Sequence, residues 1–310
     1  MSLECHNTIF WRSLLFVPAN KARFVAKARI SDADAIIIDL EDAILPGQKA
    51  DARAQVPGMV ADLSSAGRNV LVRINRPLPL AIRDIEASVS AQVSALVVAK
   101  ASSAEHLALI GEAVAESEAR LGLPEGHTRL VPLIETAGGV ARMEEIASSP
   151  RVVAMACGDE DLAADLLCEP DSETIVAIKH RLVLAAALKN VWPLGLLGSI
   201  TEFRDTEAYG ASVRRSREAG LRGTLCIHPA QVAIANHGFA PSSSLIEQAA
   251  RVVEAAEAAQ RAGSGTVGLD GRMIDAPVLR RACQILAAAR SYGASPAGNG
   301  NPAPGDRSIR

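Results

Sequence analysis

The sequence predicts an α/β fold, a (β/α)8 TIM barrel with an additional C-terminal helical segment. Three observations lead there. Eight short apolar runs recur along the chain, with Ala-rich amphipathic stretches between them. The runs are continuous rather than alternating, as expected of parallel strands buried on both faces. No G-x-G-x-x-G follows the first run, which counts against an open dinucleotide-binding sheet, and 310 residues suit eight units closed on themselves.

In order, the expected strands are SLLFVP (13–18), AIIIDLE (35–41), VLVRIN (70–75), ALVVAK (95–100), LVPLIET (130–136), VVAMACG (152–158), PLGLLGSI (193–200) and TLCIHP (224–229). Helical stretches such as 101–122 and 138–149 lie between them. Two more, 243–263 and 276–293, follow the eighth unit, joined by SGTVGLDGRMID. Eight helices complete a barrel, so this extra hairpin is expected to pack outside it or reach another subunit. The expected organisation is a catalytic barrel over 1–237, a C-terminal helical extension over 238–293 and a disordered Pro- and Gly-rich tail over 294–310.

Hydrophobic residues make up 49% and charged residues 22%, an ordinary globular balance. The net charge of −3 gives no basic footprint for nucleic acid. Cys5, Cys157, Cys168, Cys226 and Cys283 form no C-x-x-C pair, so neither a disulfide framework nor a zinc site is indicated. No apolar run reaches the ~20 residues that span a bilayer, and MSLECHNTIFWRS lacks a basic segment followed by an apolar one. A cytoplasmic location without membrane contact is expected.

The carboxyl ends of barrel strands form the active face. Six of the eight expected strands end in polar side chains: Asp39, Glu41 and Asp42; Arg73 and Asn75; Lys100; Glu135 and Thr136; Asp159, Glu160 and Asp161; and His228. Each one alone reads equally well as the start of a solvated loop, and Arg73 as the partner of a neighbouring carboxylate. Together they would ring one opening. Glu135 and Asp161, from adjacent strand ends, suit Mg²⁺, which binds one or two carboxylates and keeps water and substrate oxygens. His228 precedes Pro229 in a tight turn and reads as structural, and with no cysteine or second histidine in comparable positions zinc is disfavoured. Lys100 as a Schiff-base lysine would need a lowered pKa. No G-x-S-x-G motif is present, which disfavours a serine hydrolase.

RSLLFVPANKARFVAKA, ADAIIIDLEDAILPGQKADAR, VLVRIN, LIETAGGVARMEEIA, GDEDLAADL, CIHPAQV and GRMIDAPVLRRA occur in order between about residues 12 and 290. Together they resemble the citrate lyase beta-subunit-like (CitE-like) family of the HpcH/HpaI aldolase superfamily, which includes malyl-CoA, methylmalyl-CoA and citramalyl-CoA lyases. The resemblance implies a Mg²⁺-dependent barrel lyase acting on the bond between an acyl-CoA methyl carbon and a 2-oxo acid carbonyl. It implies Glu135 and Asp161 as metal ligands, with Glu135 and Lys100 also against substrate. Arg73 would contact the acid substrate and the enolate oxygen, Glu41 and Asp42 would bond metal-bound water, and Asp275 of a neighbouring subunit would be the acid/base.

Three departures from the family pattern bear on the substrate: Thr224 where many members carry a lysine, Asp159 where a small residue is usual, and Ala99 where a proline usually precedes Lys100. The leading expectation is cleavage of (3S)-citramalyl-CoA to acetyl-CoA and pyruvate. Malyl-CoA lyase, malyl-CoA thioesterase and a citryl-handling subunit of a citrate lyase complex are the alternatives, and a non-enzymatic scaffold is a further one. Its partners would be an acyl-CoA thioester, a 2-oxo acid and further copies of itself in a trimer or hexamer.

Overall fold

The structure, a computed structural model, describes residues 10–201, 204–261, 267–270 and 272–293. The chain divides into two compact units, one of Ile9–Phe239 and one containing Ala240 onward. The expected tail at 294–310 and Cys5 lie outside the described residues.

The first unit begins with β1 (Ser13–Pro18), α1 (Ala22–Arg29), β2 (Ala35–Asp39), α2 (Lys49–Ser65), β3 (Val70–Ile74) and α3 (Leu78–Ser88). It continues through β4 (Val93–Val98), α4 (Ala104–Arg120), β5 (Arg129–Ile134), α5 (Ala137–Ala141), α6 (Met143–Ala147) and β6 (Ala154–Cys157). It ends with α7 (Asp159–Leu166), α8 (Glu173–Leu188), β7 (Trp192–Leu194), α9 (Thr206–Glu218), β8 (Thr224–Cys226) and α10 (Pro229–Phe239). All eight strands pair parallel in chain order, and β1 pairs with both β2 and β8. A parallel bridge between Leu194 and Gly223, with Gly195 N–H donating to Gly223 O at 2.8 Å, closes the ring between β7 and β8.

Side chains alternate along each strand between two cores. Ala35, Ile37, Leu71, Val97, Val131, Leu133 and Ala156 belong to one cluster, filling the inside of the ring. Their neighbours Ile36, Ile38, Val70, Val72 and Leu96 belong to the other, under the helices. Ile36, Ile37 and Ile38 are fully buried, and burial of each such side chain contributes roughly 1.5–3 kcal/mol. This double burial explains the continuous apolar runs.

The eight runs are the eight strands, with shifted ends. The expected run at 193–200 leaves the sheet after Leu194, and at Gly198 a Cβ would lie 2.7 Å from Ser212 Oγ, so the backbone packs close there. The expected helix at 138–149 is two short helices that meet at Arg142, φ −113° and ψ 21°.

In the second unit, α11 (Ser243–Arg261) and α12 (Ala276–Ser291) pack Ile246, Ala249 and Val252 against Ala282, Leu286 and Ala289. The connection between them contains an antiparallel hairpin, β9 (Val267–Leu269) with β10 (Arg272–Ile274). Among the described residues no helix is long and apolar enough to cross a membrane.

Candidate active site

The inward register of the strands continues beyond the apolar core. Asp39 follows Ala35 and Ile37, Arg73 follows Leu71, Glu135 follows Val131 and Leu133, and Gly158 follows Ala154 and Ala156. A period of two therefore delivers these positions to the mouth of the ring.

Asp39 and Arg73 are register partners across β2 and β3. Arg73 Nε donates to Asp39 Oδ1 and Nη2 to Oδ2, both at 2.7 Å. Asp39 also accepts from the backbone N–H groups of Glu41 at 2.8 Å and Ala43 at 3.3 Å. Burial disfavours the Arg73 charge, but the bonds and charge of Asp39 outweigh it and raise the pKa. The guanidinium carbon lies 4.8 Å from the centre of the Phe16 ring, a cation–π contact that holds it flat. Asp39 is satisfied by Arg73 and its own turn.

The third guanidinium nitrogen, Nη1, faces Glu41 Oε2 at 3.0 Å and Asp42 Oδ2 at 3.2 Å. The Glu41 contact is not aligned as a hydrogen bond, so Oε2 is a buried carboxylate oxygen without one. Burial raises the Glu41 pKa, with Arg73 opposing. Burial also works against the Asp42 charge, but its hydrogen bond with Glu41 and the charge of Arg73 prevail and lower its pKa. Lys49 secures the same turn by donating from Nζ to Leu40 O at 2.9 Å and Glu41 O at 2.5 Å.

Lys100 adopts φ 49° just beyond β4. Its backbone N–H donates to Glu135 Oε2 at 2.6 Å, and its ammonium to Glu41 Oε1 at 3.1 Å and Asp161 Oδ2 at 3.2 Å. Burial alone would lower its pKa, but Glu41, Glu135 and Asp161 raise it well above the usual lysine range. That is the wrong direction for a Schiff-base nucleophile. Burial pushes the Glu135 pKa up to about 7, against the N–H and charge of Lys100. A Cβ at position 158 would lie 2.6 Å from Glu135 Cγ, so glycine there makes room for this carboxylate.

Glu41, Asp42, Arg73, Lys100, Glu135 and Asp161 thus form one linked network. Asp275 lies in the second unit, where its Oδ1 caps α12 by accepting from Val278 N–H at 3.0 Å. Asn75 is structural: its Nδ2 donates to Leu40 O at 3.0 Å and Asp84 Oδ2 at 2.6 Å. His228 lies in a turn held by Gln231, whose Oε1 accepts the N–H groups of Ile227 and His228. Among the described residues no group of three or more His, Cys, Asp or Glu side chains is placed to hold a metal ion.

Asp159, which stands where a small residue is usual in the family, is paired. Lys179 of α8, 2% exposed, donates to Asp159 Oδ2 at 2.7 Å and to Leu196 O at 2.5 Å. Burial pushes the Asp159 pKa up to about 6, with Lys179 opposing. Sequence reading missed Lys179 and Asp84, the latter fully buried and bonded to Arg53 Nε at 2.6 Å. The available signal was a charged residue on the apolar stripe of a helix: Lys179 between Ile175 and Leu182, Asp84 between Ala81 and Ile85.

Residues 12–229 match the family described as HpcH/HpaI aldolase/citrate lyase. The (3S)-malyl-CoA thioesterase of Cereibacter sphaeroides is 34% identical over 292 residues, covering 93% of this chain and 98% of that protein. The citrate lyase subunit beta of Escherichia coli is 31% identical over 297 residues, covering 94% and 97%. Among solved structures, CitE from Mycobacterium tuberculosis in complex with magnesium, acetoacetate and coenzyme A superposes with a TM-score of 0.69 at 26% identity, covering 91% of this chain and 98% of that one. With more than half of its length matched, the chain belongs to the HpcH/HpaI aldolase/citrate lyase family.

Proposed function

We propose that this protein is a Mg²⁺-dependent carbon–carbon lyase of 3-hydroxyacyl-CoA thioesters, with (3S)-citramalyl-CoA, cleaved to acetyl-CoA and pyruvate, as the first candidate substrate. The observation that carries this reading is the gathering of Glu135 and Asp161 on Lys100 beside the fixed guanidinium of Arg73. The mycobacterial relative, crystallised with magnesium, a 3-oxo acid and coenzyme A, supports it.

The residues fit the ion. Mg²⁺ favours one or two carboxylates with water and substrate oxygens completing its octahedron. Glu135 and Asp161 supply two, Glu41 offers a buried oxygen without a hydrogen bond for a metal-bound water, and Gly158 leaves Glu135 its space. Held by Glu135 and Asp161, the ion would act as a Lewis acid on the oxygens of the 2-oxo acid portion.

The protein's own groups do the rest. Arg73, fixed by Asp39 and Phe16, would exchange the Asp42 contact of Nη1 for the substrate carboxylate and for charge developing on the thioester oxygen. The substrate hydroxyl passes its proton to the Asp275 carboxylate, the C2–C3 electron pair passes into the thioester enolate, and Asp275 returns the proton to C2, which becomes the methyl carbon. Asp275 of a neighbouring copy moves that proton on Oδ2, since Oδ1 is bonded to Val278. This requires an oligomer, and a closed trimer or a hexamer built from it satisfies a head-to-tail contact.

The relatives favour two other outcomes. The (3S)-malyl-CoA thioesterase supports hydrolysis, in which the same groups direct water onto the thioester. The citrate lyase beta subunits support a role on citryl groups within a larger complex. An assay with Mg²⁺ and (3S)-citramalyl-CoA or malyl-CoA, following 2-oxo acid and free CoA separately, decides among them. Pyruvate or glyoxylate with intact acetyl-CoA supports the lyase, and free CoA supports the thioesterase. Turnover that appears only with an acyl-carrier protein supports the complex subunit. No turnover and no Mg²⁺ binding would refute the enzymatic reading.

A further inference from the structure

Carboxylates from three different strand ends converge on one residue. Lys100, beyond β4, reaches Glu135 beyond β5 with its N–H at 2.6 Å. Its ammonium reaches Asp161 in α7 at 3.2 Å and Glu41 beyond β2 at 3.1 Å. The positive φ of 49° is what turns the peptide and the side chain of one residue toward different carboxylates.

Resting on the reading of Glu135 and Asp161 as the Mg²⁺ pair, we infer that Lys100 is a positioning residue that holds both carboxylates in place before the ion arrives, and that the ion displaces its ammonium from Asp161. Arg73 cannot do this, because its fork is committed to Asp39. Among the described residues Asp161 is ion-paired to Lys100 alone.

The two ammonium contacts are unequal. The Glu41 side chain is 9% exposed and the Asp161 side chain 41% exposed. An incoming cation reaches Asp161 from solvent, and two cations on the same carboxylate oxygen repel. The Asp161 contact therefore breaks while the better shielded Glu41 contact persists. The ammonium donor so released is left at the mouth of the ring, free for an anionic oxygen of the substrate. Ion binding thus precedes productive binding of the acid.

The test uses the full chain without substrate, measuring Mg²⁺ affinity by calorimetry and thermal midpoint with and without Mg²⁺. Lys100→Met and Lys100→Gln keep the backbone N–H and remove the competing charge. Both are expected to bind Mg²⁺ about tenfold more tightly, to melt lower without the ion and to gain more from it. Lys100→Arg, which retains the charge, is expected not to tighten binding. If wild type binds Mg²⁺ and neither neutral variant binds it more tightly, the inference fails while the metal reading stands. If wild type binds no Mg²⁺, or Glu135→Gln and Asp161→Asn bind it like wild type, the metal reading fails and takes the inference with it.

Discussion

Arg73 and Asp39 meet fork to fork at the same level of adjacent strands, with two bonds of 2.7 Å. The geometry is specific to a guanidinium. Arg73→Lys retains charge but loses one of the paired bonds and the flat seat on Phe16. Turnover of the substrate identified by the product assay should fall by about 10²–10³, with the fold retained by circular dichroism. An unchanged kcat/KM would show that this orientation is immaterial.

Gly158 tests the other side of the mouth. In Gly158→Ala the new methyl would occupy space held by Glu135, 2.6 Å from its Cγ. Glu135 must then swing away, and Mg²⁺ affinity measured by calorimetry should weaken about 10–100-fold. Wild-type affinity in that variant would remove Glu135 from the ion.

The buried pair of Lys179 and Asp159 predicts a stability effect separable from chemistry. Lys179→Met leaves the Asp159 carboxylate buried without its cation, and its Oδ1 already lacks a hydrogen bond. The expected loss is about 3–5 kcal/mol by denaturant titration. Lys179→Met combined with Asp159→Leu should recover much of it. A single variant as stable as wild type would contradict the pairing.

His106 predicts an acid response. Burial, and then the nearby Arg76, lower its pKa from 6.5 to about 4. Below pH 6.5 the unfolded chain takes up this proton first, so stability is full above that value and declines toward pH 4. His106→Gln removes this one contribution. The thermal midpoint of wild type relative to the variant should therefore fall as pH drops through this window, and a constant difference would refute it.

Asp275 tests the second unit. Asp275→Asn can still accept the Val278 N–H, so α12 should remain capped and Mg²⁺ affinity unchanged. Lyase turnover should drop by about 10²–10⁴ if the carboxyl moves the proton. Full turnover in the variant would assign that step elsewhere.

Much of the site was legible because its signals are local. The runs that precede Asp39, Arg73, Lys100 and Glu135 are buried on both faces and therefore conspicuous, and the barrel places their ends around one opening. Lys179 and Asp84 were not found, because their partners lie across the fold: Lys179 meets Asp159 and Leu196 O, and Asp84 meets Arg53 and Asn75. The hairpin at 267–274 escaped for a different reason. Two three-residue strands are too short for periodicity to register.

The sequence by itself determined the eight strands, their parallel barrel and the candidate carboxylates, since periodicity and strand-end polarity are written in neighbouring residues. Only the tertiary structure decided which charges answer which. Asp39 went to Arg73, Asp159 to Lys179, and Glu41, Glu135 and Asp161 to Lys100. Pairing depends on register between strands and on the reach of side chains across the mouth, and neither is fixed until the ring closes.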